Sequence, residues 1–245
     1  MKYHGGKTRV GEKISNIIQE LIDNNEQIKG YCEPFCGACG VIKHLTQNNQ
    51  KLEFVAGDNH ESMIKMWKSL QTGWEPDISN ISKEYYLSLK GNGESSAQKG
   101  FIGHCLSFGG LYFKVYMEEL VPRIENSKKN IIKRSLDIKN VSFSVGDYTQ
   151  FSHLKNNIIF CDPPYQKLNK YYDEYDNRLN FDNDLFWEWC GEMKKNNIVI
   201  VNEMSGIENT VTMDSNIIEL KPRNLNYGKY TNSETESLYV MGNMN

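Results

Sequence analysis

Ile158-Ile159-Phe160-Cys161-Asp162-Pro163-Pro164-Tyr165 is an apolar run that ends abruptly on a carboxylate and two prolines. The apolar part has the length and composition of a buried strand. Two consecutive prolines fix φ and donate nothing to a ladder, so they make a stiff turn at the carboxyl end of that strand. In open α/β sheets that edge is where ligands bind. The turn holds a carboxylate, a carbonyl without a local partner and an aromatic face around one small space. Such a set suits a base that carries an exocyclic amine and has been swung out of its stack. The amine of adenine is a poor nucleophile, because its lone pair is delocalised into the ring. Two acceptors on its N–H bonds, the Asp162 carboxylate and the Pro163 carbonyl, would localise that pair. Tyr165 could stack on the ring, a contact worth about 1–3 kcal/mol. A strand-ending turn with an incidental acid would read the same, so the rest of the chain has to decide.

Upstream, Glu33-Pro34-Phe35-Cys36-Gly37-Ala38-Cys39-Gly40 follows a short strand signal at Tyr31–Phe35 and precedes a helical stretch at Val41–Leu45. Glycines in such a loop let backbone approach a ligand closely, and a helix N-terminus faces it. A second buried strand, Leu52–Ala56, runs into Gly57-Asp58-Asn59, and an acid at that place commonly holds ribose hydroxyls. The pattern G-x-G-x-x-G is absent, which fits a nucleoside ligand without phosphates. Helical spacing covers Val10–Asn24 and Ser62–Leu70. Strand, Gly-rich turn, helix and strand ending in an acid make the first half of a nucleotide-binding α/β unit.

From Thr72 to Lys139 the character changes. Helices are predicted at Ile78–Leu89, Ala97–Phe108 and Glu118–Leu136, separated by Gly91-Asn92-Gly93 and Gly109-Gly110, with few strand signals. Strands return at Val141–Val145, Asn157–Cys161, Ile198–Val201, Ile217–Leu220 and Ser237–Met241, with a helix at Asp182–Lys195. The chain therefore reads as an α/β domain, residues 1–70 and 140–245, interrupted by a mainly helical insertion, residues 71–139.

The 245 residues are 39% hydrophobic and 24% charged, so a substantial core needs no staples. Six scattered cysteines without a secretory leader point to a reduced, cytoplasmic protein. No run approaches the roughly 18 apolar residues of a membrane span. A net charge of −3 speaks weakly against nucleic acid. However, Arg123–Lys139 holds six basic residues against two acidic ones. A solvated helix face would look the same.

In this order, the motifs resemble the DNA adenine methyltransferase (Dam-like) family. Tyr3-His4-Gly5-Gly6-Lys7 is similar to its N-terminal cofactor segment, Glu33–Gly37 to its E-P-F-x-G loop, Gly57-Asp58-Asn59 to its ribose-binding acid, Asp162–Tyr165 to its catalytic tetrapeptide, and Glu236–Val240 to its closing strand. The resemblance implies a Rossmann-like class I methyltransferase sheet with an inserted target-recognition subdomain. It also implies S-adenosyl-L-methionine as cofactor and double-stranded DNA as partner, with no metal. Catalysis would rest on Asp162, Pro163, Pro164 and Tyr165. Tyr3, Lys7, Glu33, Pro34, Phe35, Gly37, Asp58, Asn59 and Asp162 would serve the cofactor. Asp147 and Tyr148, in Ser144–Tyr148, match a looser segment near the cofactor's adenine. The implied DNA contacts are Tyr112, Lys114, Arg123, Lys128, Lys129, Lys133 and Arg134. Of these, Tyr112 and Lys114 lie in Gly109–Tyr116, which is either a hairpin probing the duplex or a core hairpin.

Two departures stand out. Cys39 replaces an expected glycine or serine, and Ser107–Lys114 lacks the N-G-x-C-R-x-N string of members that read GATC. Three other readings stay open. Cys32, Cys36 and Cys39 spell C-x3-C-x2-C, the cluster spacing of radical S-adenosylmethionine enzymes. The same fold could methylate RNA adenine or a protein amide. The chain could also be a regulatory protein that binds the cofactor without catalysis. The histidines at 4, 44, 60, 104 and 153 show no ligand spacing.

Overall fold

Period-2 alternation along the central strands divides the apolar residues between two cores. In the computed structural model, which describes residues 3–166, 181–207, 209–220 and 235–242, Tyr31, Ile158 and Ile200 face one core while Cys32, Ile159 and Val201 face the other. Buried on both faces, such strands need helices on both sides.

The sheet comprises β1 (Gly30–Glu33), β2 (Glu53–Asp58), β3 (Val141–Val145), β4 (Asn157–Cys161), β5 (Ile198–Met204), β6 (Asn216–Glu219) and β7 (Glu236–Met241). Its order is β3-β2-β1-β4-β5-β7-β6. The first five strands are parallel, and β7 runs antiparallel to both β5 and β6. Chain order reverses between β1 and β4, so a crevice opens beyond their carboxyl ends. The Glu33–Gly40 loop and the Asp162–Tyr165 turn meet there. This is the Rossmann-like α/β sheet expected.

The helices are α1 (Gly11–Asp23), α2 (Ile42–Leu45), α3 (Glu61–Gln71), α4 (Lys83–Gly91), α5 (Ala97–Cys105), α6 (Ile124–Asp137) and α7 (Asn183–Met193). Side-chain caps start four of them. His60 Nδ1, Ser82 Oγ, Ser96 Oγ and Asp182 Oδ1 each accept a first-turn N–H. The Ser82 cap starts α4 later than the periodicity predicts. The single helix expected at Glu118–Leu136 is two pieces. A 3-10 turn over Glu118–Arg123 contains Pro122, and α6 begins after it. Proline cannot extend the ladder, so the break falls there.

Residues 71–139 pack tightly against the rest of the chain. A Cβ at Gly100 of α5 would stand 2.3 Å from the Ser62 carbonyl oxygen of α3, so glycine sets that helix spacing. α6 packs on α2 and α3, with Ile131 and Ile124 buried in the same core as Tyr31. No helix among the described residues is long and apolar enough to cross a membrane.

Candidate active site

The loop after β1 is shaped by Gly37. Its φ is +42°, and a Cβ there would sit 2.8 Å from the Tyr3 ring, so Tyr3 lies against bare backbone. The Gly37 N–H donates to Asp58 Oδ2 (2.9 Å), and its carbonyl accepts from the Trp67 indole (2.9 Å). Asp58 Oδ1 accepts the His60 N–H, also at 2.9 Å. Two backbone donors thus fix the acid at the end of β2 and tie it to the loop. Cys39 has φ +53°, a region that costs a non-glycine residue on the order of 1 kcal/mol. This explains why a glycine is the expected residue there.

Phe35 and Tyr148 form an apolar wall beside the loop. Their rings stack at 5.8 Å and 29°, with Phe181 and Phe186 edge-on to Phe35. Asp147 is exposed and caps the turn that carries Tyr148, its Oδ1 accepting the Thr149 N–H at 2.9 Å. Asn59 is exposed beside Asp58. Pro34 and Glu33 lie beneath this surface. Glu33 is 2% exposed and accepts from the Tyr31 hydroxyl at 2.7 Å. Burial pushes its carboxyl up to about 8, against the pull of the Tyr31 hydrogen bond, so it is protonated at neutral pH. The Tyr31 hydroxyl is itself pushed well up, first by burial and then by Glu33.

At the end of β4, Asp162 is partly exposed and Tyr165 is buried. Lys7 Nζ, 5% exposed, reaches Asp162 Oδ1 at 2.9 Å and donates to the Tyr165 hydroxyl at 2.6 Å. The same ammonium stands 4.9 Å from the Tyr165 ring centroid. Lys7 is placed by close backbone packing. A Cβ at Gly40 would come within 3.2 Å of the Lys7 backbone, and one at Gly11 within 2.2 Å of the Gly40 carbonyl. Asn202, at the end of β5, completes the group: its Nδ2 donates to Asp162 Oδ1 at 3.1 Å and to the Tyr165 hydroxyl. Among the described residues no hydrogen bond reaches the Pro163 carbonyl, and no hydrogen bond or ion pair is made by Asp162 Oδ2.

Sequence reasoning missed Asn202 and its neighbour Glu203. Glu203 is 1% exposed and accepts the N–H groups of Gln166 (2.9 Å) and Met204 (2.7 Å), which anchors the end of the Asp162–Tyr165 turn. The available signal was an Asn-Glu pair ending the apolar run Ile198–Val201, one strand over from Asp162.

The residues expected at DNA divide into two groups. Ser107 bridges to Tyr116, and the Phe108 N–H donates to the Val115 carbonyl (2.9 Å), so the expected hairpin forms. Lys114 is exposed on it, beside Phe108 (56% exposed) and Val115 (53%). Tyr112 instead turns into a joint with His60 (4.2 Å) and His104 (5.0 Å), and His104 meets Tyr3 at 4.8 Å. Burial pushes His104 down to about 3, with help from His60, so it stays neutral, and its Nδ1 contacts the Gly110 carbonyl. On α6 and just before it, Arg123, Lys129 and Lys133 are exposed. Lys128 pairs with Glu75 at 2.9 Å and Lys129 with Glu125 at 3.5 Å. Arg134 points inward: its guanidinium donates to the Ala38 carbonyl in the loop after β1 (2.7 Å).

The six cysteines are free and buried. Cys32 faces one core while Cys36 and Cys39 face the other, so the three thiols of C-x3-C-x2-C do not converge. No group of three or more His, Cys, Asp or Glu among the described residues is placed to hold a metal.

The family model described as D12 class N6 adenine-specific DNA methyltransferase matches residues 3–104 and 110–225. The chain is also similar to the Type II methyltransferase M.MjaIII of Methanocaldococcus jannaschii, 27% identical over 207 residues, 69% of this chain and 70% of that protein. Among solved structures it is similar to the rRNA methyltransferase aviRa from Streptomyces viridochromogenes (TM-score 0.42, 7% identity, 94% of this chain and 84% of that one). It is also similar to a precorrin-6y C5,15-methyltransferase from Geobacter metallireducens (TM-score 0.38, 6% identity, 94% and 87%). Both structural likenesses are too remote to bear on function.

Proposed function

Since the chain belongs to the D12 class of N6 adenine-specific DNA methyltransferases, we propose that Asp162 and the Pro163 carbonyl receive the exocyclic amine of an adenine flipped out of duplex DNA. One observation carries this reading. Asp162 stands at the point where strand order reverses, with Oδ1 held by Lys7 and Asn202 and Oδ2 without a partner among the described residues. An acceptor whose orientation is already fixed can take an amine N–H without reorganising, which is how electrostatic preorganisation lowers a barrier. The Pro163 carbonyl supplies the second acceptor. Together they localise the lone pair of the nitrogen. Lys7 holds Tyr165 at its hydroxyl end, so the ammonium covers neither face of the ring on which the base would stack.

The residues fit S-adenosyl-L-methionine. Asp58, anchored by two N–H groups, retains lone pairs for ribose hydroxyls. The bare backbone at Gly37 under Tyr3 allows close approach, and the Phe35–Tyr148 wall suits a flat base. Asn59 and Asp147 stand exposed at its rim. Glu33 and Pro34 shape the loop from below. When bound, that cofactor supplies an electrophilic methyl group on a sulfonium. The protein itself positions the amine, excludes water and accepts hydrogen bonds, and Asp162 is placed to pass the surplus proton of the product to solvent.

Residues 71–139 are the recognition insertion, with α6 shared with the α/β domain. Lys114 and the hairpin meet the bases, while Arg123, Lys129 and Lys133 meet phosphates. Lys128 and Tyr112 contribute at the edges of that surface, and Arg134 acts through the cofactor loop. The enzyme works in the cytoplasm as a site-specific modifying enzyme, in the manner of a restriction–modification methylase.

The test is direct. Purified protein is given a radiolabelled methyl donor and duplex DNA, and the product is digested to nucleosides. Label in N6-methyladenine, with no label entering single-stranded RNA, is the expected outcome. Label in another nucleoside would overturn the assignment of the amine.

A further inference from the structure

Asn202 is fully buried, yet it is a polar side chain in the middle of the sheet between β4 and β7. Its Nδ2 bridges the same two acceptors as Lys7, Asp162 Oδ1 and the Tyr165 hydroxyl. Two donors and two acceptors thus close a four-membered circuit. Its orientation is dictated by charge, since only the NH2 end of an amide can face a carboxylate. That orientation leaves Asn202 Oδ1 buried without a partner among the described residues. Such an orphan is destabilising, and an apolar residue would avoid it. Packing alone therefore does not account for an asparagine here.

We propose that Asn202 is a positioning residue for methyl transfer. With Lys7 it saturates Asp162 Oδ1, which leaves Oδ2 as the oxygen for the target amine, and it holds the Tyr165 ring by its hydroxyl. Lys7 alone cannot do this. An ammonium on a flexible stem supplies charge but little direction, whereas the planar amide on a central strand fixes the plane of the carboxylate. The inference deepens the reading of Asp162 as amine acceptor and rests on it.

The test compares wild-type enzyme with Asn202→Ala, Asn202→Ser and Asn202→Asp in steady-state kinetics, cofactor calorimetry and crystal structures. Asn202→Ala is expected to lower kcat by about 10- to 100-fold, the scale of an ångström-level misplacement. KM for DNA and cofactor affinity should stay within about 3-fold, because Asn202 touches neither ligand directly. Asn202→Ser keeps a donor and should recover part of kcat. Asn202→Asp sets a second carboxylate against Asp162, so the acidic limb of its rate profile should move to higher pH. A folded Asn202→Ala or Asn202→Asp with wild-type kcat and pH profile would overturn the proposal. If wild-type enzyme transfers no methyl group to DNA adenine, the amine-acceptor reading fails. The positioning claim is then judged from the variant structures, where an unmoved Asp162 carboxylate overturns it and a rotated one supports it.

Discussion

The corner at Asp162 and the hairpin at Ser107–Tyr116 both belong to the proposed substrate surface, but they are built in opposite ways. At the corner the supporting atoms are cross-linked: Lys7 and Asn202 both hold Asp162 Oδ1 and the Tyr165 hydroxyl, and Glu203 pins the following backbone. At the hairpin a single bridge, flanked by two backbone hydrogen bonds, joins the strands, and Phe108, Lys114 and Val115 face outward. The difference suits the tasks proposed for them. Chemistry on a weak nucleophile needs acceptors that do not reorganise, whereas reading a duplex needs groups that reach into a groove. The joint of Tyr3, His60, His104 and Tyr112 links the two regions.

This contrast can be broken by mutation. The largest effect is expected from Asp162→Ala, a fall in kcat of about 10³-fold or more in a protein that still folds but melts lower, because Lys7 loses its buried partner. Residual activity near wild type would remove the corner from the chemistry. Next, Asp58→Ala should weaken cofactor binding by about 10- to 100-fold in calorimetry, the worth of one or two charged hydrogen bonds. An unchanged dissociation constant would deny it the ribose role. At the hairpin, Phe108→Ala with Lys114→Ala should raise KM for DNA several-fold and blur target-site selectivity, while cofactor affinity holds.

A smaller effect separates the basic residues from one another. Replacing Lys129 and Lys133 by alanine should reduce the salt slope of DNA binding by about 0.9 for each phosphate left without its cation. Arg134→Ala should leave that slope alone and loosen the cofactor loop, read as a lower melting temperature. Equal slopes for both variants would merge the two groups again.

The smallest expected effect concerns protons. In the folded protein Glu33 is pushed up to about 8 from an ordinary 4.5, chiefly by burial. Between those values the native state holds a proton that the unfolded chain has released. Stability contributed by this group is full below about pH 4.5, falls as pH rises, and is level above about pH 8. Glu33→Gln should flatten that part of the stability curve in urea titrations from about pH 5 to about pH 9. An unchanged curve would place the carboxyl in contact with water.

Local signals marked the corner and the loop that the fold brings together where strand order reverses. Two prolines after an apolar run mark a rigid strand end, and Gly37 marks a close approach, because those residue types act through their own backbones. The Ser82 cap was a local signal too, but the periodicity of Ile78–Leu89 masked it. Pro122 carried an equally local signal, which the periodicity of Glu118–Leu136 masked. Asn202 and Glu203 lay beyond any local rule. Their partners are 37 to 40 residues away, and only strand pairing brings them to Asp162 and Gln166. The charge run on α6 failed in a related way, because spacing counts charges without their direction. Only packing on α2 and α3 turns Arg134 inward to Ala38 while Lys133 stays exposed.

By itself, then, the sequence determined a twisted α/β sheet, the acid at the end of β2, the proline corner after β4 and the class of reaction these imply. The reason is that proline, glycine and period-2 burial constrain a backbone wherever they occur. Tertiary structure alone decided which oxygen of Asp162 is occupied, which lysines remain in solvent and that Glu33 keeps its proton. Those properties depend on neighbours in space and on distance from water, which parallel crossovers set and a linear chain does not display.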